Sequence, residues 1–557
     1  VLWGRSDAIG NLTFEYSTDS SFSSIGGSTT LNVSDSLAPA KWNVSGLSAA
    51  TQYHYRVTDS ASASASGTFT TAASLGTMGG LRFGVSGDWR GELLPYPSVK
   101  NAAGRSLDFF VSLGDTIYAD VASPANNFQP QSQTLTDFRN KHVEVYSASG
   151  GMNSLADLRQ STAVFATIDD HEVTNDFAGG APIASDTRFS GTGTDLINNS
   201  TLYDNGLQAF QDYNPIAHET YGATGDVRTA NELKLYRSRT FGSDAALMVR
   251  DAELTPVSNL ADPVQVGTFL ASSFNPARTM LGREQVDDLK ADLLAAQQSD
   301  VLWKFVMVPE PMQNLGVLAA GDRFEGYAAE RTEILGFVND NSIENVVFVS
   351  ADIHGTLVNN LTYQTALGGP QIATSAFEIT TGSVAYDAPF GTTVAGIASQ
   401  LGLLTPAQFA FYNSLPSTPD ADSIPNDKDD FIKSLTNQQL APLGYDPLGL
   451  DANLPQAGGK INAQLLQGDY TATHTFGWTE FEIDPLTRAL LVTTYGITPY
   501  TDIEIAAATF AGDLSGITSR NPVIVSQFRV TPVPVPATVW LMGAALATLA
   551  RKRRRRL

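Results

Sequence analysis

The sequence predicts an α/β (α+β) domain preceded by a small all-β sandwich, and two observations support this prediction. Residues 1 to about 73 contain short strand-like segments separated by Ser, Gly and Asp turns, with no helix-period stretch. Four later segments each consist of an apolar strand-like run that is followed at once by acidic residues or a histidine. In open α/β folds, functional groups collect at the carboxyl ends of the strands, so the four runs predict one common site.

The N-terminal region is expected to form its own domain, residues 1–76. Its strand-like segments include residues 12–18, 51–57 and 67–71, and the last two resemble parts of a fibronectin type III module. We expect this domain to pack beside the next one or to present a surface, and not to carry out chemistry. A linker rich in small residues, at 72–80, marks the boundary.

The clearest strand-like run covers residues 107–120, where an apolar stretch is followed by Asp115 and Tyr118. A carboxylate and a phenolate three positions apart are hard oxygen ligands, which suit Fe(III), Mn or Ca. The other three runs are residues 81–86, followed by Asp88 and Arg90; 163–168, followed by Asp169, Asp170, His171 and Glu172; and 345–350, followed by Asp352 and His354. Burying so many carboxylates together requires cations, so these strand ends predict a polynuclear metal site.

The ordered set GDWRG, GDTIY, DDHE and SADIH resembles the calcineurin-like metallophosphoesterase superfamily, and within it the PhoD-type alkaline phosphatase/phosphodiesterase family. Three further segments also resemble that family: LGREQ at 281–285, TGS at 381–383 and HTFGW at 474–478. The resemblance extends from residue 1 to residue 497. It implies a metallophosphoesterase β-sandwich flanked by helices, with residues 77–530 as the catalytic domain.

The resemblance also implies a set of metal ligands: Asp88, Asp115, Tyr118, Asp170, Asp352 and His354. Asp115 is expected to bridge two cations, with Asp88, Tyr118 and His354 around one of them. Asp170 and Asp352 are expected on the other side. The implied centre is dinuclear or trinuclear, with Fe(III) and Ca(II) as the expected metals and Mn(II) as another option.

One feature departs from the family pattern, because PhoD-type enzymes commonly carry a Cys ligand after the first strand and this chain has no Cys. Gly87 falls at about that position, and the neighbouring Asp88 could replace the thiolate. A site with only oxygen and nitrogen ligands would hold Fe(III), Mn or Ca about equally well, so the first metal stays open.

The resemblance implies that a hydroxide activated by the cations attacks phosphorus in line. His171 is expected to stabilise the transition state or to protonate the leaving alkoxide, and Arg90 to grip two phosphoryl oxygens. Asp169, Glu172 and His474 are expected behind these groups. The sequence does not decide which of Asp169 and Asp170 binds metal, and His474 could equally be an ordinary residue at the start of a strand.

The C-terminal residues 531–557 resemble a PEP-CTERM sorting tail of the kind that exosortases process in Gram-negative bacteria. The segment VPVPA at 533–537 is followed by a short apolar stretch at 538–550 and a basic cluster at 551–556. This stretch is shorter than the roughly 20 residues that a stable membrane span needs. We expect transient membrane anchoring before the tail is processed, and an ordinary tail anchor is the alternative.

Composition agrees with an exported enzyme, and the resemblance of the tail implies the periplasm, outer surface or extracellular matrix of a Gram-negative bacterium. A net charge of −23 argues against nucleic-acid binding through a basic face. No signal peptide is visible, and we expect a leader that was removed or that precedes Val1. Residues 183–231 are expected to form a loop-rich insertion near the site, and residues 401–464 a lid with short helices.

The leading hypothesis is therefore a secreted, metal-dependent phosphomonoesterase or phosphodiesterase that acts on phosphate esters. One alternative is a surface or biofilm-matrix attachment protein built on a degenerate hydrolase domain. Another is a phospholipase D-like lipid hydrolase, which would keep the metals and cleave a different bond.

Overall fold

The structure is a computed structural model, and it describes residues 1–534 except 190–195, 244, 250–262, 319, 321–322, 457 and 459, without the side chains of 245–249 and 263. All but the first four residues of the predicted sorting tail lie outside the described residues. Within the described part of the chain, no helix has the length and apolar character needed to cross a membrane.

The described residues form strands and helices throughout the chain. The strands are β1 (Leu2–Gly4), β2 (Gly10–Ser17), β3 (Gly27–Val33), β4 (Ala40–Trp42), β5 (Gln52–Thr58), β6 (Ser64–Thr70), β7 (Leu81–Trp89), β8 (Phe109–Leu113), β9 (Ala163–Thr167), β10 (Arg237–Phe241), β11 (Ala245–Val249), β12 (Trp303–Met307), β13 (Val346–Ser350), β14 (Thr356–Tyr363), β15 (Ile372–Thr380), β16 (Ser383–Ala385), β17 (Asn462–Gly468), β18 (Thr471–Ala472), β19 (Phe476–Ile483), β20 (Leu490–Ile497) and β21 (Val523–Thr531). The helices are α1 (Leu135–Val145), α2 (Ser154–Ser161), α3 (Thr201–Tyr213), α4 (Pro263–Ser273), α5 (Arg283–Gln298), α6 (Ala328–Asp340), α7 (Phe390–Gln400), α8 (Pro406–Ser414), α9 (Lys428–Leu440), α10 (Asp502–Ala511) and α11 (Ser515–Thr518).

The N-terminal region is all-β, as its turn-rich sequence predicts. An antiparallel sheet of order β3-β2-β5-β6 lies with the pair β1-β4 around a small core that includes Leu12, Phe14 and Val57. The region is attached to the rest of the chain through Trp3, whose indole N–H donates to the Asp212 carbonyl at 2.8 Å. Arg139 adds ion pairs to Asp35 and Asp212 on the two sides of this contact.

Two large sheets form the body of the protein. One has the order β17-β21-β20-β19-β7-β8-β9, with β16 paired to β7, and the other has the order β10-β11-β12-β13-β15-β14-β18. In the first sheet β7, β8 and β9 are parallel, and in the second β11, β12, β13 and β15 are parallel. The chemistry-bearing segments named above follow these parallel strands.

The two sheets pack face to face through aromatic and aliphatic side chains. Phe83 of the first sheet stacks on Phe109 and Phe481, with ring centroids 4.7 and 4.8 Å apart, and meets Phe305 of the second sheet edge-on at 4.9 Å. Burying this much apolar surface contributes most of the stabilisation of such a core. Separate clusters cover the outer faces, with α1, α2 and α3 on the first sheet and α5 and α6 on the second.

Of the two segments 183–231 and 401–464, the first contains more helix than the sequence predicts. The short helices predicted within residues 401–464 are present as α8 and α9. The expectation of a loop-rich segment at 183–231 was wrong in its middle, because α3 forms there and buries Leu202, Leu207 and Phe210. Asn, Asp and Gly residues between these apolar positions hide the helical period in the sequence, and packing against the sheet overrides them.

Candidate metal centre

The predicted strand-end residues meet at one edge of the two sheets. Strand β7 continues to Trp89 instead of ending at residue 86, because β16 pairs with Gly87 and Trp89. Asp88, Asp115, Asp352 and His354 all have left-handed backbone conformations, with φ of 61°, 46°, 57° and 59°. Such conformations are costly for residues other than glycine and concentrate at functional sites.

Asp88, Asp115 and His354 form a first group, in which one candidate ligand atom of each lies within 4.8 Å of the others. His354 Nε2 is 3.5 Å from Asp88 Oδ1. Both aspartates are buried, and neither oxygen of Asp88 has a hydrogen-bond partner. Tyr118 is also fully buried. Burial raises the pKa of its phenol, and the charges of Asp115 and Asp88 raise it too.

Gly87, at about the position of the family's Cys ligand, lies where the backbone leaves no room for a side chain. A Cβ atom at residue 87 would lie 2.7 Å from the Leu113 carbonyl oxygen and 2.8 Å from the Ala351 Cβ. No side chain fits there without a backbone shift. Asp88, one residue later, carries the carboxylate that reaches the group.

Asp115 also belongs to a second group, with Asp170 and His171. Asp115 is therefore common to the group that contains Asp88 and His354 and to the group that contains Asp170. The backbone N–H of His171 donates to Asp115 Oδ1 at 3.3 Å. A carboxylate has two oxygens, so one carboxylate that belongs to two ligand groups could contact a cation in each.

Asp352 lies in a third group, with Asp169 and Glu310. The sequence analysis placed Asp352 beside Asp170 and treated Asp169 as a supporting residue, whereas here Asp169 itself offers a ligand atom. Glu310 was missed, although it obeys the same rule: it follows the buried strand β12 by three residues. The Pro309 carbonyl accepts from the Ala351 N–H at 2.8 Å, which holds the ends of β12 and β13 side by side.

Glu172 holds two of the strand-end loops together. Its buried carboxylate accepts the backbone N–H groups of Asp115 at 3.2 Å, Thr116 at 2.5 Å and Asp169 at 2.8 Å. Burial raises the pKa of Glu172 to about 7. These hydrogen bonds hold the backbone at Asp115 and Asp169 in place.

His171 is oriented by Asp120, a residue to which the sequence analysis gave no role. The His171 Nδ1 lies 2.7 Å from Asp120 Oδ1, and Asp120 Oδ2 accepts the Asn175 N–H at 2.8 Å. Although burial lowers the pKa of His171, the carboxylates of Asp170, Asp115 and Asp120 raise it well above 6.5. The other ring nitrogen, Nε2, lies 4.0 Å from Asp170 and faces the metal ligands.

Arg90 lies at the end of β7 and is held by acidic neighbours. Its Nε is 3.3 Å from Glu92, and its guanidinium also pairs with Asp387. Tyr386, next to Asp387, stacks on His354 with ring centroids 3.7 Å apart. Tyr386 and Asp387 follow the TGS segment at 381–383. The sequence analysis gave neither residue a role, because they are not part of a strand-like run that leads into a cluster of acidic residues or a histidine.

His474 does not join the ligand groups. Its Nδ1 lies 2.9 Å from Asp429 Oδ1 and its Nε2 lies 2.8 Å from the Tyr412 hydroxyl. Both ring nitrogens are therefore used, and neither is left for a metal or a substrate. The residue instead connects α8 and α9 to the segment before β19.

The residues present fit a cluster of hard cations. Burial raises the pKa values of Asp88 and Asp115 well above their ordinary 3.8, and the cost of ionising them together is removed by bound cations. Burial lowers the pKa of His354 to about 3, which leaves a neutral imidazole with a free lone pair for a metal. Carboxylate, phenol and imidazole groups suit Fe, Mn and Ca.

The raised carboxyl pKa values of Asp88, Asp115 and Glu172 predict that these groups make the metal-free protein less stable as the pH rises. A carboxyl with a raised folded-state pKa favours the folded chain at low pH, and this contribution is lost as the pH rises through that pKa. For Glu172 the window runs from its ordinary 4.5 to about 7. We expect the Tm of chelator-treated protein to fall across this range, and metal-loaded protein to show no such fall. Thermal unfolding in both states checks this, and a metal-free Tm that rises with pH would contradict it.

A two-sheet sandwich with three carboxylate-rich groups at its strand ends defines a protein with several places that could bind a metal ion. The family model for the PhoD-like phosphatase matches residues 86–406, and that for the PhoD-like phosphatase N-terminal domain matches residues 1–73. The chain therefore belongs to the PhoD-like phosphatase family.

One curated protein and two solved structures are similar to this chain. Alkaline phosphatase D of Bacillus subtilis (strain 168) is 26% identical over 292 residues, a match that covers 48% of this chain and 44% of that protein. The chain thus spans less than half the length of this curated relative. A solved structure of PhoD has a TM-score of 0.59 at 19% identity, covers 90% of this chain and 82% of its own, and supports the fold. A purple acid phosphatase from yellow lupin (Lupinus luteus) seeds gives a TM-score of 0.42 at 10% identity, over 88% of this chain and 67% of that one.

Proposed function

We propose that this protein is a metal-dependent phosphoric ester hydrolase, an alkaline phosphatase D-like mono- or diesterase. The observation that carries the proposal is the position of Asp115, shared between two ligand groups at the strand ends. Such sharing would place two cations near each other, and a pair of cations can stabilise both the attacking and the leaving oxygen in an in-line displacement at phosphorus. Membership of the PhoD-like phosphatase family supports the same conclusion.

The metal set of the proposal is dinuclear or trinuclear. Asp88, Tyr118 and His354 would hold one cation with Asp115, and Asp170 would hold the next. Asp169, Glu310 and Asp352 offer a third position. Fe(III) with Ca(II) is the proposed occupancy, with Mn(II) as the alternative, and bound cations would supply an activated water and positive charge for the phosphoryl oxygens.

His171 and Arg90 act on the substrate in this proposal. His171 carries a proton on Nε2, towards the ligand groups, and gives it to the leaving oxygen or stabilises the charge that develops there. Asp120, at 2.7 Å from Nδ1, fixes the orientation of the ring. Arg90 presents a guanidinium to two phosphoryl oxygens, and its pairs with Glu92 and Asp387 keep it in place.

The remaining parts of the proposal concern export and domain organisation. Residues 1–76 form a fibronectin type III-like domain, residues 77–530 the catalytic domain, and residues 531–557 a PEP-CTERM tail that an exosortase processes. The protein is exported to the periplasm, outer surface or matrix of a Gram-negative bacterium and is anchored in the membrane until the tail is cleaved. The all-β N-terminal region and the basic end of the tail support these assignments.

The proposal is tested by measuring bound metal and hydrolysis on one preparation. Elemental analysis of purified protein is expected to give stoichiometric Fe, Mn or Ca, and aryl phosphate mono- or diesters to be turned over. Chelation should remove both, and added metal should restore both. Iron bound by Tyr118 predicts a phenolate-to-iron charge-transfer colour.

Two other outcomes would replace the proposal. Folded protein that takes up no metal and hydrolyses nothing would favour the matrix-attachment alternative. Cleavage of phospholipids, with no turnover of aryl phosphates, would favour the phospholipase D-like alternative.

A further inference from the structure

Three aspartates form a cluster in the segment 401–464, outside the strand-end groups. One carboxylate oxygen each of Asp420, Asp427 and Asp430 lies within 4.8 Å of the others. Asp427 and Asp430 are each only 2% exposed, whereas Asp420 is exposed to solvent. No residue of this cluster belongs to the groups around Asp115.

Local hydrogen bonds explain why the three residues meet. Asp427 caps the N-terminus of α9, where its side chain accepts the Asp430 N–H at 2.9 Å. Its other oxygen accepts the Asp420 N–H at 3.2 Å, which folds the preceding loop back onto the start of the helix. The Asp420 carboxylate itself accepts the Asp422 N–H at 2.9 Å.

Asp430 is the residue that these contacts leave unexplained. Both of its carboxylate oxygens are buried and have no hydrogen-bond partner. The neighbouring Asp429 accepts from Thr473, and Lys433 in the next turn pairs with Asp469 at 3.2 Å. A buried carboxylate without a hydrogen bond is strongly destabilising unless a cation or a proton neutralises it.

A proton is one way to neutralise Asp430. Burial, together with the charges of Asp427 and Asp469, raises its pKa to about 8, and Lys433 offsets only part of this rise. However, protonation would leave Asp427 and Asp420 still repelling each other across the same space. A cation would offset all three charges at once.

We propose that Asp420, Asp427 and Asp430 bind a Ca²⁺ ion that fixes the start of α9. The cluster contains carboxylates alone, with no His or Cys, and hard oxygen donors favour Ca²⁺. Ca²⁺ takes six to eight oxygen ligands in flexible geometry. Because Asp420 is exposed to solvent, waters would supply the ligands that the three carboxylates do not. The ion ties the loop to α9, and α9 in turn contacts Thr473 through Asp429.

The test is Ca²⁺ binding to the full chain, measured by calorimetry or equilibrium dialysis after chelation. We expect the wild type to bind one more Ca²⁺ than Asp430→Asn, and to gain more in Tm from added Ca²⁺. The control is Asp422→Asn, because Asp422 is exposed in the same loop but lies outside the cluster. This variant protein should bind as many Ca²⁺ ions as the wild type.

A second variant guards against a folding defect in Asp430→Asn. Asp420 is exposed, so Asp420→Asn is expected to fold normally and to weaken this Ca²⁺ site by about tenfold or more, since affinity follows the number of charged ligands. Equal Ca²⁺ stoichiometry and equal Tm gain in the wild type and both cluster variants would overturn the proposal. Asp430 would then be neutralised by a proton instead of a cation. Because no readout is hydrolysis, this result stands apart from the fate of the proposed activity.

Discussion

Replacing Asp115 by Asn is expected to abolish hydrolysis of aryl phosphates, with a loss of at least about a thousandfold, and to lower the bound metal. Asp115 offers a ligand atom to two groups, so the change weakens two cation sites together. Metal ions supply several kcal/mol of transition-state stabilisation, and about 4 kcal/mol corresponds to this loss. Elemental analysis and turnover of the same preparation check both parts.

The metal-free form of this variant is expected to be no less stable than the metal-free wild type. Burial and the neighbouring carboxylates raise the pKa of Asp115, so removing its charge relieves repulsion with Asp88 and Asp170. A higher Tm after chelation, together with lost metal, would separate a ligand role from a folding defect. Asp446→Asn is the control, because Asp446 is also buried and hydrogen-bonded but lies outside the strand-end groups. Metal content and turnover equal to the wild type in Asp115→Asn would contradict the assignment.

The sequence located most of this site because the chemistry lies where apolar runs end. Asp115 and His354 follow buried strands of a parallel set, Asp88 lies at the end of another, and the fold brings such ends to one edge. The same rule would have found Glu310, but the two prolines around it read as a turn instead of a continuation of the strand end. Local patterns therefore predicted which side chains lie at this edge better than how they are grouped.

What the sequence could not supply is the contact between distant segments. Asp120 and His171 are 51 residues apart, and nothing in either segment reports that their side chains meet. Tyr386 reaches His354 only because β16 pairs with the end of β7. The helix α3 was missed for a related reason, since its formation depends on the sheet surface that it covers.

Replacing His171 by Asn is expected to slow hydrolysis by about a hundredfold to ten-thousandfold, the range for a general acid. The loss should depend on the leaving group. An alkyl phosphate needs a proton on its departing oxygen, whereas a nitrophenolate leaves readily without one, so the alkyl ester should lose more. An equal loss for both esters would instead assign His171 to stabilising charge in the transition state, and unchanged turnover would exclude both roles.

Asp120→Asn provides the matched test of how His171 is held. The Asp120 carboxylate lies 2.7 Å from Nδ1 and is one of the groups that raise the pKa of His171. Asn can still accept a hydrogen bond from the ring, but it removes that charge, so the pKa of His171 falls. If protonated His171 is the acid, the alkaline limb of the kcat profile should move to lower pH in this variant, while bound metal stays at the wild-type level. An alkaline limb that stays in place would show that His171 does not carry the proton that the reaction requires at high pH. The substitution removes the Asp120 charge beside the His171 ring, so a limb set by the pKa of His171 would have to move.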